Sequence, residues 1–251
     1  MNQPLVSVIM VTYNRAALIG PAIESVLAQS YRNLELLIVD DASIDETATI
    51  AASYAKNDDR IKYHVNERNL GISKNRNRGL EMAQGDYIAV LDSDDVWVDT
   101  DKLARQVDFL EQNPDHVLVG SNVVVIDASG RTIDHFKYET DDDTIRKRLL
   151  GRNQFTHSSL LFRRATVTAV GGYDESLAIW EDFDLILKMG TLGQMANLKQ
   201  ETTAYRKHGG NISNSARKNG ALIHLAIIGR HKNEYPNYWP AQLKGWARFL
   251  I

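Results

Sequence analysis

The chain reads as an α/β fold: a mixed, mainly parallel sheet flanked by helices, followed by a helical C-terminal extension. Three observations lead there. Within the first hundred residues four short apolar runs alternate with three stretches of helical spacing, and a β-α-β order of this kind builds a parallel sheet with helices on both faces. The first run, Val6 to Val11, is continuous and largely β-branched, as in a strand buried on both sides. Three run ends carry polar clusters, Thr12-Tyr13-Asn14-Arg15, Asp40-Asp41 and Asp92-Ser93-Asp94-Asp95. In such sheets ligands bind beyond the C-terminal strand ends.

The elements follow in order. After the strand Val6 to Val11, residues Leu18, Ala22, Ile23, Val26 and Leu27 recur at helical spacing. Leu34 to Val39 is the second strand. Ser43-Ile44-Asp45-Glu46 has the Ser-x-x-Glu spacing of a capping box before a helix over Thr47 to Lys56. Ile61 to Val65 is the third strand, Ser73 to Ala83 a helix with Gly85 as its C-terminal cap, and Tyr87 to Leu91 the fourth strand. The second half is less regular. Helices are predicted over Lys102 to Leu110, Asp143 to Leu150 and Glu181 to Met189. Strands are predicted over Val117 to Ile126, Thr132 to Phe136 after a turn at Gly130, Ser158 to Phe162, and Thr202 to Tyr205. Two helices, Ala216 to Lys232 and Trp239 to Ile251, close the chain around a proline-bearing turn.

Composition narrows the function classes. The 251 residues carry a net charge of −3 and no cysteine. That excludes disulfides, thiolate catalysis and zinc–cysteine sites, and it argues against a general nucleic-acid binder. Met1-Asn2-Gln3-Pro4 has no basic region, so no signal peptide is read. The longest apolar stretch, Ala221 to Ile228, is too short to span a bilayer. A cytoplasmic protein is expected. From Arg206 onward eight Lys or Arg face one acid, Glu234, so the tail is expected to meet something anionic.

The acid cluster is the most telling local feature. Carboxylates held together raise one another's pKa unless a cation or hydrogen-bond donors compensate. Asp-x-Asp at a strand end suits Mg²⁺ or Mn²⁺, which take oxygen ligands and complete their shells with water and phosphate. An acidic turn with a helix N-cap is the plain alternative.

The ordered set of motifs resembles the family 2 glycosyltransferases of GT-A (Rossmann-like) fold. The matching residues are Val6-Ser7-Val8-Ile9 with Thr12-Tyr13-Asn14, Val39-Asp40-Asp41-Ala42-Ser43, Asn69-x-Gly71 leading to Arg76-Asn77-x-Gly79, and Leu91-Asp92-Ser93-Asp94-Asp95. Gly171-Gly172-Tyr173-Asp174-Glu175, Trp180-Glu181-Asp182-Phe183-Asp184 and Tyr205-Arg206-x-His208 complete it. The resemblance implies a domain over 1–213, with a nucleotide-binding half over 1–100 and an acceptor-side half over 101–213, and leaves 214–251 as a helical extension. It implies a metal-dependent, inverting enzyme that moves a sugar from a nucleotide-diphospho sugar, a UDP-sugar first, to a hydroxyl acceptor in cell-surface polysaccharide or glycolipid synthesis.

The resemblance also assigns roles. Thr12, Tyr13 and Asn14 face the nucleotide, and Asp41 accepts from the imide N–H of uracil. Gly71 and Arg76 lie near the base and diphosphate. Asp92 and Ser93 also belong to the nucleotide side, with Asp92 on ribose or a metal-bound water. Asp94 binds Mn²⁺ or Mg²⁺ with His208, and Asp182 is the general base. Asp95, His157, Trp180, Glu181 and Arg206 are substrate, acceptor or phosphate candidates. Each has a plainer reading: Tyr13 caps a strand, Asp41 caps a helix, Asp40 caps a helix or hydrogen-bonds at the sheet edge, Gly71 only needs positive φ, and the acids at 181–184 favour a helix N-terminus. A lone histidine is more often structural. Trp239, Leu243, Trp246 and Leu250 form one stripe on the last helix. It fits a peripheral contact with the inner membrane face, a packing face, or an oligomer contact. A sugar-1-phosphate nucleotidyltransferase, a non-catalytic nucleotide-sugar-binding module and a glycosidase are the competing classes. The first would need a Gly-rich basic loop after the first strand, the last no nucleotide-facing residues.

Overall fold

The computed structural model describes residues 3–210 and 217–250. Four strands, β1 (Val6–Thr12), β2 (Leu34–Asp40), β3 (Ile61–Val65) and β4 (Tyr87–Val90), pair in parallel in the order β3-β2-β1-β4. They are joined by α1 (Ile19–Leu27), α2 (Thr47–Asn57) and α3 (Ile72–Met82). The sheet continues past β4 through β5 (Val96–Trp97), β6 (His116–Ile126), β8 (Leu161–Arg163) and β9 (Gln194–Arg206), in the order β8-β6-β9-β5. β7 (Thr132–Phe136) hangs off β6. In this half β8 runs antiparallel to β4 and β6, β5 antiparallel to β9, and β9 parallel to β6. The remaining helices are α4 (Lys102–Gln112), α5 (Asp142–Leu149), α6 (Arg164–Ala169), α7 (Glu181–Gly190), α8 (Arg217–Arg230) and α9 (Tyr238–Leu250).

The two-residue period of the strands divides the interior into two cores. Val6, Val8 and Met10 of β1, Leu36 and Ile38 of β2, and Ala89 of β4 face α1 and α4 through Ile19, Ile23 and Leu103. Ile9, Leu37, Ile88 and Val90 belong to the other core, which includes Phe183 and Ile186 of α7, Leu225 and Ile228 of α8, and Ala241 of α9. Each such side chain contributes about 1.5–3 kcal/mol when fully buried. The C-terminal helices therefore share a core with α7 and with β1, β2 and β4. The boundary expected at 213 lies outside the described residues.

Several local expectations are corrected. The capping box does not form: the residue before α2 is Glu46, with no side-chain cap. Ser43 instead accepts from the Asn14 N–H at 2.9 Å and donates its own N–H to Asp40 Oδ1. Gly85 is not a helix cap, since α3 ends at an extended Ala83. A Cβ at Gly85 would come within 2.6 Å of the Leu5 carbonyl and the Ser7 nitrogen, so close approach to β1 explains the glycine. Ser158 and Ser159 lie in a 3₁₀ turn, His157–Ser159, ahead of the short β8. The strand expected over Thr202 to Tyr205 is the end of a strand beginning at Gln194.

Candidate active site

The C-terminal ends of β1, β2 and β4 open on a cleft of about 980 Å³, at the upper end of the usual range for small-molecule sites. Parallel strands deliver their carbonyl ends and the following loops to one edge, which gathers Thr12, Tyr13, Asp41, Arg76, Asp92, Ser93 and Asp94 in its wall. The same cleft is also lined by His157, Trp180, Glu181, Asp182, Tyr205 and Lys207.

At the nucleotide-side edge Thr12 is buried, and its hydroxyl has no hydrogen-bond partner within the protein. Tyr13 is 43% exposed beside it. Asp41 accepts from Asn66 Nδ2 at 2.9 Å and from the N–H groups of Leu70 and Gly71 at 2.8 and 2.9 Å. Those three donors fix the turn leading into α3. Gly71 has φ 86° with open space where a Cβ would sit, so the left-handed backbone alone requires glycine there. Asp40 caps no helix: it accepts from Tyr63 Oη at 2.7 Å across the sheet edge. Asn14 is not part of the cleft wall. Its φ is 53° and its side chain accepts from the Ile44 N–H at 2.9 Å, tying the β1 loop to the β2 loop.

Arg76 organises the centre. Lys74 and Arg78 of the same helix are exposed, whereas Arg76 is 4% exposed. Its guanidinium meets Asp92 Oδ1 at 2.7 Å and Glu181 Oε1 in a close ion pair, and it lies 5.6 Å from the centre of the Tyr173 ring. The arginine expected at phosphate is thus engaged with two carboxylates, one from the turn after β4 and one from the start of α7. Burial alone would raise Asp92, but Arg76 and His157 hold it well below the usual carboxylate range. His157 is buried, with Nε2 2.8 Å from Tyr173 Oη and Nδ1 3.8 Å from Asp92. Burial, reinforced by Arg76, pushes its pKa down. Tyr173 is held in turn by Asn77, which accepts its N–H at 2.9 Å and donates to its carbonyl at 3.0 Å.

Asp182 stands in the first turn of α7, next to Trp180, whose φ of 64° turns the chain into the helix. Burial raises Asp182 above the ordinary carboxylate value, against the pull of Arg76 and of the Phe183 N–H. Burial also raises Glu181, with Asp182 adding to it and Arg76 opposing. A partly buried carboxylate with a raised pKa at a cleft wall suits proton abstraction from a hydroxyl.

The remaining acids divide by direction. Asp94 Oδ2 lies 3.0 Å from His208 Nε2 and 3.3 Å from Arg15 Nε. His208 Nδ1 accepts the Gly210 N–H at 3.1 Å. Asp95 turns inward: it is 1% exposed, with Ser158 Oγ donating at 2.5 Å and the Arg206 N–H at 2.8 Å. Burial, with Asp94 and Asp92 nearby, pushes its pKa well up. These contacts make Asp95 a brace of the turn, and the residue also lines the cleft. Arg206 is also redirected, since its guanidinium reaches the carbonyls of Asp94, Asp127 and Ala128, while its neighbours Tyr205 and Lys207 line the cleft.

Among the described residues no group of three or more His, Cys, Asp or Glu side chains is arranged to hold a metal. The convergence of Asp94 and His208 fits an ion shared with a diphosphate, since Mg²⁺ and its relatives commonly use one or two carboxylates plus substrate oxygens. It does not fit an all-protein metal cage. Sequence reasoning missed Arg15 and Lys207. Lys207 had a signal, the alternation along β9 that sends 205 and 207 to one side. Arg15 had none beyond its place after β1. His224, buried in α8 and stacked on Phe183 with ring centres 5.3 Å apart, also lines the cleft.

Comparison with known proteins agrees with this geometry. The putative teichuronic acid biosynthesis glycosyltransferase TuaG of Bacillus subtilis is 40% identical over 154 residues, 59% of this chain and 60% of that protein. The chain spans about two thirds or less of the curated relatives it matches most strongly. In structure it is similar to S. aureus TarS in complex with UDP-GlcNAc (TM-score 0.72, 21% identity, covering 98% of this chain and 71% of that one). It is also similar to the mannosyltransferase PcManGT of Pyrobaculum calidifontis in complex with GDP-Man and Mn²⁺ (TM-score 0.71, 19% identity, 100% and 71%). Both likenesses are of fold, and they identify the sheet as a GT-A sheet. The family model described as glycosyl transferase family 2 matches residues 7–168, and the chain belongs to that family.

Proposed function

We propose that the chain is an inverting glycosyltransferase that moves a sugar from a nucleoside-diphosphate sugar, a UDP-sugar first, to a hydroxyl acceptor in cell-surface polysaccharide or glycolipid synthesis. The observation that carries this is one cleft lined together by Arg15, Asp94 and Asp182. The name of TuaG and the sugar nucleotides in the two similar structures support the donor class. Asp41 supports a uracil base, because a carboxylate with three N–H donors keeps lone-pair capacity for an imide N–H.

In the proposed reaction Asp182 takes the proton of the acceptor hydroxyl as its oxygen attacks the anomeric carbon. The bond from that carbon to the diphosphate oxygen breaks on the opposite face, and its electron pair leaves with the nucleoside diphosphate. The product is a glycoside of inverted configuration, and the proton passes from Asp182 to water. Arg76 ties up Glu181, and Lys188 and Arg230 pair with Asp184, so Asp182 is the acid of α7's first turn that serves as base. Arg15 and Lys207 bring positive charge to the departing diphosphate. Asp94 and His208 would hold a Mn²⁺ or Mg²⁺ ion, which neutralises phosphate charge when bound.

The test is a thermal-shift series of nucleotide sugars with and without Mn²⁺, followed by assay of nucleoside diphosphate release. A ligand present at a hundred times its Kd stabilises the fold by about 2.7 kcal/mol. Stabilisation by a UDP-sugar and release of UDP are expected. No response to any sugar nucleotide, together with pyrophosphate release from UTP and a sugar 1-phosphate, would replace the proposal with a nucleotidyltransferase.

A further inference from the structure

The pair α8–α9 is apolar on two sides. On the inside, α9 turns Ala241 and Gly245 toward α8, so closely that a Cβ on Gly245 would come within 2.5 Å of Leu225 Cδ2. On the outside, Trp239 is 74% exposed, Leu243 72% and Trp246 48%. These three positions share one helical face. Leu250, the expected fourth member, has a side chain outside the described residues, as does Arg248. A surface helix ordinarily turns polar residues outward, and a contiguous exposed apolar patch marks an interaction site.

Two further observations say what covers it. Charge is the first: the segment from Arg206 onward holds eight Lys or Arg and one acid in a chain of net charge −3; Arg206 and Lys207 serve the cleft region and Arg230 pairs with Asp174 and Asp184, while Lys232 and Lys244 are exposed. Tryptophan and leucine on one face with lysine off it is the composition of a helix lying in a membrane interface over anionic lipid. Position is the second: Gly220, Ala221 and His224 of α8 and Gly245 of α9 line the catalytic cleft. The same two helices thus form a wall of the cleft and carry the exposed stripe. No helix among the described residues is long and apolar enough to cross a membrane, so the contact in question is a lateral one.

We propose that α9 docks on an anionic bilayer surface through Trp239, Leu243 and Trp246, and that the acceptor hydroxyl belongs to a lipid-anchored molecule delivered along α8. The acceptor half of this rests on the transferase reading. The docking half does not, and its test needs no activity. The full chain is spun with vesicles of phosphatidylglycerol and phosphatidylcholine, and with vesicles of phosphatidylcholine alone. The triple variant Trp239→Ser/Leu243→Ser/Trp246→Ser is compared, with a thermal melt to confirm its fold.

Wild type is expected to sediment with the anionic vesicles and to release as salt rises from about 0.1 M to about 1 M, where the Debye length falls from about 10 Å to about 3 Å. The variant should bind at least about tenfold more weakly, since three apolar side chains no longer enter the interface. Brominated lipid should quench tryptophan emission in wild type and not in the variant. The docking proposal fails if wild type stays in the supernatant, binds neutral vesicles equally, or loses nothing on triple substitution. It also fails if the stripe instead drives self-association of the chain without lipid. Binding of a sugar nucleotide without vesicles, measured on the same samples, reports separately on the transferase reading.

Discussion

Replacing Arg76 by methionine removes the charge while keeping most of the side-chain length. Arg76 and Glu181 are both nearly fully buried, at 4% and 7% exposure of their side chains, and Asp92 is 31% exposed. Removing one member of a buried ion pair costs about 3–5 kcal/mol, because the other is left charged and uncompensated. Most of that cost belongs to Glu181; the Asp92 contact adds less because water reaches it. For a chain of this size 1 kcal/mol moves the melting temperature by about 2–4 °C, so a loss of roughly 6–20 °C is expected at neutral pH. Circular dichroism melts at pH 7 provide the measurement. Arg76→Lys is the control: it restores charge but not the two-pronged geometry, and should recover part of the loss. A methionine variant melting within about 2 °C of wild type would show that Arg76 does not bind these carboxylates in the folded protein.

Three other outcomes are expected. Asp182→Asn should leave the donor Kd unchanged and lower kcat by about 10²–10⁴-fold. In wild type the base must be ionised, so with Asp182 raised by burial activity should fall as pH drops through a value above the ordinary carboxylate pKa; an unshifted acid limb would contradict the burial. Asp94→Ala should abolish the enhancement of UDP binding by Mn²⁺ in calorimetry, and chelation should have no further effect on that variant; equal enhancement in both proteins would remove Asp94 from the ion. Thr12→Val should keep the melting temperature, because the hydroxyl has no protein partner, yet weaken nucleotide binding by about 0.5–1.5 kcal/mol; unchanged affinity would mean the nucleotide does not reach β1.

The sequence made the first half of the fold legible because β1, β2 and β4 are buried on both faces. Continuous apolar runs such as Val6 to Val11 and Leu34 to Val39 have few other structural solutions. The second half was less legible for a physical reason. β5 and β8 are two and three residues long, too short to show a period, and they are strands only because β9 and β4 pair with them. At the site, motif order indicated which segments meet, but the direction of each side chain depended on tertiary contacts. Arg206 and Lys207 are equally basic in sequence; the carbonyls of Asp94 and Asp127 take one, and the cleft receives the other. Nothing local to Arg76 reveals that Glu181, 105 residues away, closes onto it.

The acid turn after β4 explains why three carboxylates occur within four residues. Asp92, Asp94 and Asp95 all line the cleft, and Asp95 also ties their turn to Ser158 and to the Arg206 N–H. That brace needs one acceptor for the Arg206 N–H and one partner for the Ser158 hydroxyl; it does not need a charge. Asparagine supplies both, with its carbonyl oxygen toward Arg206 and its NH₂ toward Ser158 Oγ. It also removes a like charge from beside Asp94 and Asp92, the neighbours that raise Asp95 together with burial. Asp95→Asn is therefore expected to retain transferase activity and to melt at or above the wild-type temperature at neutral pH. Asp95→Ala strands a buried hydroxyl and an N–H at about 1–3 kcal/mol each and should lose several degrees. Melts and UDP release measured on both variants separate a brace from a ligand. If the asparagine variant is stable but inactive, the carboxylate acts on substrate or ion, and the inward reading of Asp95 is wrong.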